Sequence, residues 1–286
     1  MGCFLSSLCK PCLHNLSHAW KQQLPELPDG IVRLDTSLPA DLLVKAKQVL
    51  IESFAGTTTN APEGTMSWTI DSEASIDNDP SKPLKQPPTE ERLACFKWVV
   101  EFLFAVELRY GACFLLVEGE EVVSVALLIP PNTKDLHEPN ACIMTSAGCE
   151  VGEPPAPWNK GASKAKFDAL AAAMSKVHHE VMHKQKHWYL HMFGTSPHFQ
   201  GKGYGSKLMK FLVSLSDIYL VPMYLETTGD GCISFYNKHG FEVSKKSKEL
   251  FILEDKKRFP GEKLQGVAMV RQPIDKDGSN VVAVSK

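Results

Sequence analysis

The chain of 286 residues has no run of about 20 uncharged apolar side chains, the length that a membrane-spanning helix needs. Its most apolar stretch, Leu93 to Leu108, is interrupted by Lys97, Glu101 and Glu107, so no transmembrane segment is expected. It also lacks an excess of charge. The 31 Lys and Arg stand against 33 Asp and Glu, which gives no general attraction to nucleic acid, and no nucleic-acid partner is expected. Paired metal-binding motifs are missing as well: Cys9 and Cys12 have the spacing of a redox or zinc half-site, but no second pair follows. His179 and His183, at i and i+4, lack a third ligand because Glu180 lies off their face, so no metal is expected there. The scattered Cys95, Cys113, Cys142, Cys149 and Cys232 read as reduced core thiols of a cytoplasmic protein.

What the chain does hold is apolar material for a core. With 43% hydrophobic and 22% charged residues it suits one large or two small globular domains. Ile31 to Leu34 reads as a strand, and Pro39 to Phe54 as a helix with Asp41 near its start and Gly56 after its end. A helix from Glu90 to Tyr110 comes next, then a hairpin of Ala112–Val117 and Val122–Ile129. Residues 56–90, rich in Thr, Asp, Ser and Pro, read as a long loop insertion that shapes a binding site or is disordered, and residues 130–164, with six prolines, as a loop insertion on the surface. Phe167 to Lys184 is a predicted helix, with Phe167, Leu170, Met174, Val177 and Val181 on one face and solvated histidines. The last elements are a strand, Met223–Thr228, a helix, Cys232–His239, closed by Gly240, and strands near Phe241–Phe251 and Gly266–Arg271.

The first residues carry a pattern of their own. Met1-Gly-x-x-x-Ser6 is an N-myristoylation pattern with Gly2 as acceptor, and Cys3 beside it is a palmitoylation site. Two acyl chains anchor a protein where one holds it only marginally. Residues 1–25 are therefore expected to form a flexible tail that places the protein at the cytoplasmic face of a membrane. A tail with incidental cysteines is the alternative.

The centre of the chain is Trp188 to Met209. An aromatic, β-favouring run to Phe193 is broken by Gly194, Ser196 and Pro197. Tyr204, Leu208, Phe211, Leu212 and Leu215 then fall on one face of a helix, so Gly201, Gly203 and Gly205 sit at a helix start. Such a turn either cradles a phosphate on backbone N–H groups or is merely tight. It is neither the dinucleotide fingerprint nor the P-loop, since it lacks their remaining fixed positions.

The pattern Gln200-x-x-Gly203-x-Gly205 after a strand resembles the acetyl-CoA signature of the GNAT superfamily of N-acetyltransferases. A second block, Met223–Thr228 followed by Phe235-Tyr236-Asn-Lys-His-Gly240-Phe241, is similar to that family's strand and its helix ending in Y-x-x-x-G-F. One position departs: the family often has Asn seven residues before the tyrosine, where this chain has Gly229.

The resemblance implies an α/β fold of α+β type, with a mixed, mostly antiparallel sheet and helices on both faces, over residues 26–275; residues 276–286 read as a flexible C-terminal tail. It implies acetyl-CoA as cosubstrate, its pantetheine arm along Phe193, Gly194 and Thr195. The pyrophosphate would lie on Gly201, Lys202, Gly203, Tyr204, Gly205 and Ser206, beside Gln200. Tyr236 would be the acid that protonates the leaving thiolate. For the base, His187, Tyr189 and His191 share one face of the central strand by its period of two, and Glu226 lies on the next strand. His191 and Glu226 rank first. The implied activity is acetyl transfer to a primary amine of a small molecule, with two alternatives: acetylation of protein N-termini or lysines, and a non-catalytic acyl-CoA-binding module at a membrane.

Overall fold

Along residues 24–35, 38–70, 82–110, 112–131, 141–247, 252–254, 263–275 and 277–279, which the computed structural model describes, the order begins with β1 (Ile31–Leu34) and α1 (Ala40–Ala55). It continues through α2 (Gly64–Ile70), α3 (Glu90–Tyr110), β2 (Cys113–Glu118), β3 (Glu121–Ile129), α4 (Ala141–Val151) and α5 (Gly161–Met182). Then come β4 (Trp188–Thr195), a 3-10 turn (Pro197–Phe199), α6 (Tyr204–Tyr219), β5 (Met223–Thr227) and α7 (Asp230–Asn237). Short strands finish the chain: β6 (Glu242–Val243), β7 (Ile252–Glu254), β8 (Lys263–Gln265) and β9 (Val267–Arg271).

Seven strands form one sheet in the order β1-β2-β3-β4-β5-β9-β6, and β7 pairs with β8 separately. Every neighbouring pair in the large sheet is antiparallel except β4 with β5. Strand β3 is apolar nearly throughout because both of its faces are covered. Val123, Ala126 and Leu128 pack with Leu208, Phe211, Leu212 and Leu215 of α6, whereas Val122, Val125 and Leu127 pack with Leu50 of α1 and Phe96, Val100 and Phe104 of α3. Each such Val, Leu or Phe side chain, fully removed from water, contributes about 1.5–3 kcal/mol. Helix α3 starts where Thr89 Oγ1 accepts from Arg92 N at 3.2 Å, and it carries Glu90 and Glu91 in its first turn and Arg109 in its last, matching the helix dipole. Arg271 at the end of β9 is buried and makes a two-pronged pair with Asp217 of α6 at 2.7 and 2.8 Å.

Several expectations are corrected. The insertion at 130–164 holds α4 and a fully buried Trp158, whose Nε1 donates to Thr69 Oγ1 at 2.8 Å; its prolines flank structure rather than replace it. Residues 56–90 likewise hold α2, whose start is capped by Glu63 accepting from Thr65 N and Met66 N. Among the described residues of the strand expected near Phe241–Phe251, Glu242 and Val243 are the ones that pair with β9. His178 is buried rather than solvated, stacked on Tyr224 at 4.5 Å between ring centroids. Gly2 and Cys3 lie outside the described residues, as does most of the expected C-terminal tail. Among the described residues no helix is long and apolar enough to cross a membrane.

Candidate active site

The sheet opens between β4 and β5. Their parallel pairing joins Trp188 to Met223 and Tyr189 to Tyr224 and then stops, while β5 stays with β9 to Thr227 and β4 with β3 to Thr195. The β3–β4 ladder shifts between Leu127 and Leu128, where His191 is the extra residue of β4; such a bulge bends its strand and raises the local twist. From His191 to Thr195 the β5-facing edge of β4 therefore has no strand partner among the described residues. The bulge also changes the alternation. Tyr189 and His191 lie together with rings 4.8 Å apart, as the period of two predicts, but Phe193 and Thr195 turn towards α6.

The turn after Thr195 enters α6 through Gly203, an N-cap with φ of 86° and no side-chain cap bond. That left-handed conformation is why glycine stands there. The N–H groups of Tyr204, Gly205 and Ser206 begin the helix without intrahelical acceptors, at the positive end of its dipole. A Cβ added at Gly201 or Gly203 would meet nothing within 4 Å, so there is open space beside the turn. Gly205 has another reason: a Cβ there would lie 2.8 Å from Thr195 Oγ1, so its bareness lets α6 seat on the end of β4. Gly194 does the same for the opposite face, where a Cβ would run into Ser53 and Leu50 of α1. Gln200 Nε2 donates to Thr195 O at 3.1 Å, and Ser124 Oγ donates to Gly194 O at 2.9 Å, so both fasten the end of β4. Lys202 lies over the Phe199 ring at 5.0 Å, Tyr204 meets that ring edge-on, and Ser206 Oγ is 3.4 Å from His239 Nε2. Uncapped N–H groups, open space and nearby lysine suit a pyrophosphate.

Across the opening, Glu226 of β5 stands level with His191 if the β4–β5 register is continued. Tyr224 donates its hydroxyl to Glu226 Oε1 at 2.7 Å, and Tyr189 donates to the same carboxylate. Burial pushes the Glu226 carboxyl up to about 7, against those hydroxyl bonds and the charge of His191. His191 Nδ1 is 2.7 Å from Glu107 Oε1 of α3. Burial alone would lower the imidazole, but the bond and charge of Glu107, helped by Glu226, hold it above its ordinary value. Glu107 is itself raised by burial, which outweighs His191. His187 is occupied elsewhere: its Nδ1 donates to Gln185 O at 2.7 Å, and its Nε2 is paired with His178 Nε2 at 2.6 Å.

Tyr236 of α7 is half-buried, packed edge-on to Phe235 and Phe241, and Phe235 stacks on Phe193 at 5.7 Å. Burial raises its phenol well above the ordinary value, with the Cys232 side chain pushing the same way. The fold thus brings β4, the glycine turn and α7 together through Phe193, and His191 and Glu226 together at the opening. Glu107 and Ser124 are the residues that sequence reasoning missed. Each left a trace, a carboxylate inside an apolar helical run and a hydroxyl inside an apolar strand.

Residues 169–243 match the family model of the acetyltransferase (GNAT) domain. Among solved structures, the chain is similar to a histone acetyltransferase HPA2 and related acetyltransferase of Corynebacterium glutamicum, at 19% identity over 89% of this chain and 98% of that one, TM-score 0.47. It is also similar to the polyamine N-acetyltransferase of Drosophila melanogaster, at 15% identity over 84% and 97%, TM-score 0.47. Arylalkylamine N-acetyltransferase 2 of Aedes aegypti gives 13% identity over 85% and 99%, TM-score 0.47. Both motif blocks, the glycine turn after β4 and the tyrosine helix α7, fall inside the residues that match the GNAT acetyltransferase domain model.

Proposed function

We propose that the protein transfers the acetyl group of acetyl-CoA to the primary amine of a small molecule. Glu226 carries the reading: a carboxyl at the sheet opening, held by two tyrosine hydroxyls and poised at about 7, is a proton acceptor suited to neutral pH. The free edge of β4 at Phe193, Gly194 and Thr195 would hold the pantetheine arm, and the amides of Gly201 to Ser206, with Lys202, the pyrophosphate. Acetyl-CoA supplies the thioester, an activated acyl group. The Glu226–His191 pair takes a proton from the ammonium, the freed amine bonds to the thioester carbon, the carbon–sulfur bond breaks, and Tyr236 gives its proton to the departing thiolate; the second proton that the nitrogen loses as the amide forms goes to solvent, and solvent restores the Tyr236 hydroxyl. The Tyr236 phenol, at 10 by its ordinary value and raised further by burial, is protonated at neutral pH, so the proton is in place when the thiolate forms.

A small acceptor is favoured by α2. Its Met66 and Trp68 pack on the apolar cluster that includes Tyr189 and Tyr224, and Glu63 at its start accepts from Thr228 Oγ1 beyond β5 at 3.4 Å, so α2 lies over the Glu226 side of the sheet. Labelled acetyl-CoA offered to a panel of small amines, peptide N-termini and peptide lysines tests this choice. Transfer confined to peptides would replace the acceptor class, and binding without transfer would favour a non-catalytic module. An acyl anchor at Gly2 and Cys3 is the further reading from sequence; a wild-type chain found wholly in the soluble fraction of cells would rule it out.

A further inference from the structure

Glu107 presents an unusual combination. It lies in the last turns of α3, fully buried, in a run of apolar residues that face the sheet. Its Oε1 meets His191 Nδ1 at 2.7 Å, and its Oε2 is buried with no hydrogen-bond partner among the described residues. A carboxylate so placed costs stability, and an apolar side chain of similar size would pack there at less cost. Its partner His191 keeps some exposure, 18% of the side chain against none for Glu107, and sits on the bulge where the sheet opens. The groups around the pair are few: Glu226 from β5, Tyr189 from β4, Tyr224 through Glu226, and Cys113 from β2, whose thiol burial and the Glu107 charge push up.

We propose that Glu107 is a positioning residue for acetyl transfer: it holds His191 with the proton on Nδ1 and leaves Nε2 as the ring nitrogen available at the opening opposite Glu226. In this arrangement Glu107 is ionised, and since an ionised carboxylate can only accept, the imidazole donates from Nδ1 across the 2.7 Å bond. The neighbouring negative charge then favours the imidazolium, so that His191 can take up the proton that leaves the amine. This rests on the amine-acetylation reading above.

The test uses the full chain labelled with 15N-histidine. Two-bond proton–nitrogen spectra, with His191 assigned by its loss in His191→Gln, report tautomer and titration without any substrate. The wild type is expected to show Nδ1 protonated. In Glu107→Gln, the His191 titration should move to lower pH, the acid limb of kcat/KM should move with it, and kcat should fall, by less than the roughly 10²–10⁴ lost with a general base itself. Glu107→Asp, which keeps the charge, should restore part of both shifts. A wild-type His191 protonated on Nε2 with Nδ1 bare overturns the proposal even if Glu107→Gln does not fold. So does a folded Glu107→Gln with unchanged kcat and pH profile. A wild type that acetylates no amine strikes the reaction reading instead, while the tautomer still answers for Glu107.

Discussion

A Cβ at Gly205 would come within 2.8 Å of Thr195 Oγ1, a hydroxyl already fixed by Ser124 Oγ at 3.0 Å. Gly205→Ala therefore forces α6 off the end of β4 or breaks that hydroxyl pair. We expect it to destabilise the protein by about 1–3 kcal/mol, the usual range for overpacking, and to weaken acetyl-CoA binding by shifting the helix start. Denaturant titration alongside calorimetry checks both.

Gly203 separates binding from packing, because a side chain there meets open space. Gly203→Asp should strain a left-handed residue by roughly 1 kcal/mol and set a negative charge at the N-terminus of α6. The expected outcome is a folded protein without measurable acetyl-CoA affinity. Unchanged affinity in that folded variant would remove the pyrophosphate from this turn.

Glu226 predicts opposite pH trends for stability and activity. Its folded value of about 7 lies above the ordinary 4.5, so the folded state binds the proton more tightly. This group's contribution to stability is complete below 4.5 and declines as pH rises towards about 7. Activity follows the ionised form and should rise over the same interval. Glu226→Gln should remove this part of the melting-temperature profile and lower kcat by about 10²–10⁴, the range for a general base. Scanning calorimetry and kcat measured from pH 4.5 to about 8 check the two trends.

Asp217 tests the architecture away from the chemistry. Asp217→Ala strips buried Arg271 of both carboxylate bonds and should cost about 1.5–3 kcal/mol, with kcat little changed. Urea unfolding monitored by fluorescence measures it.

The sequence made the local parts of this site legible. Gln200 to Gly205 and Tyr236 to Phe241 encode backbone turns, which depend on glycines a few residues apart, and the β4 side chains obeyed a period of two up to His191. Past His191 the alternation failed, because a bulge depends on the partner strand and not on β4 alone. Glu107 was visible only as a charge interrupting an apolar helix; its meaning needs His191, which is 84 positions away and arrives only when α3 packs on the sheet. Helix α4 hid between prolines that sit at its flanks. His178 looked like a surface histidine until β5 brought Tyr224 beneath it.

In the proposed reaction Tyr236 and Glu226 work on an acetyl-CoA held at the opening of the sheet. The most direct measurement follows free thiol and N-acetylated amine together, by mass spectrometry, in wild type and Tyr236→Phe with saturating acetyl-CoA and the best amine of the panel. One thiol released per amide formed is expected in the wild type, and in Tyr236→Phe undiminished acetyl-CoA binding with turnover lower by about 10²–10⁴. Wild-type turnover in that variant, or thiol release without any amide, would contradict the proposed reaction.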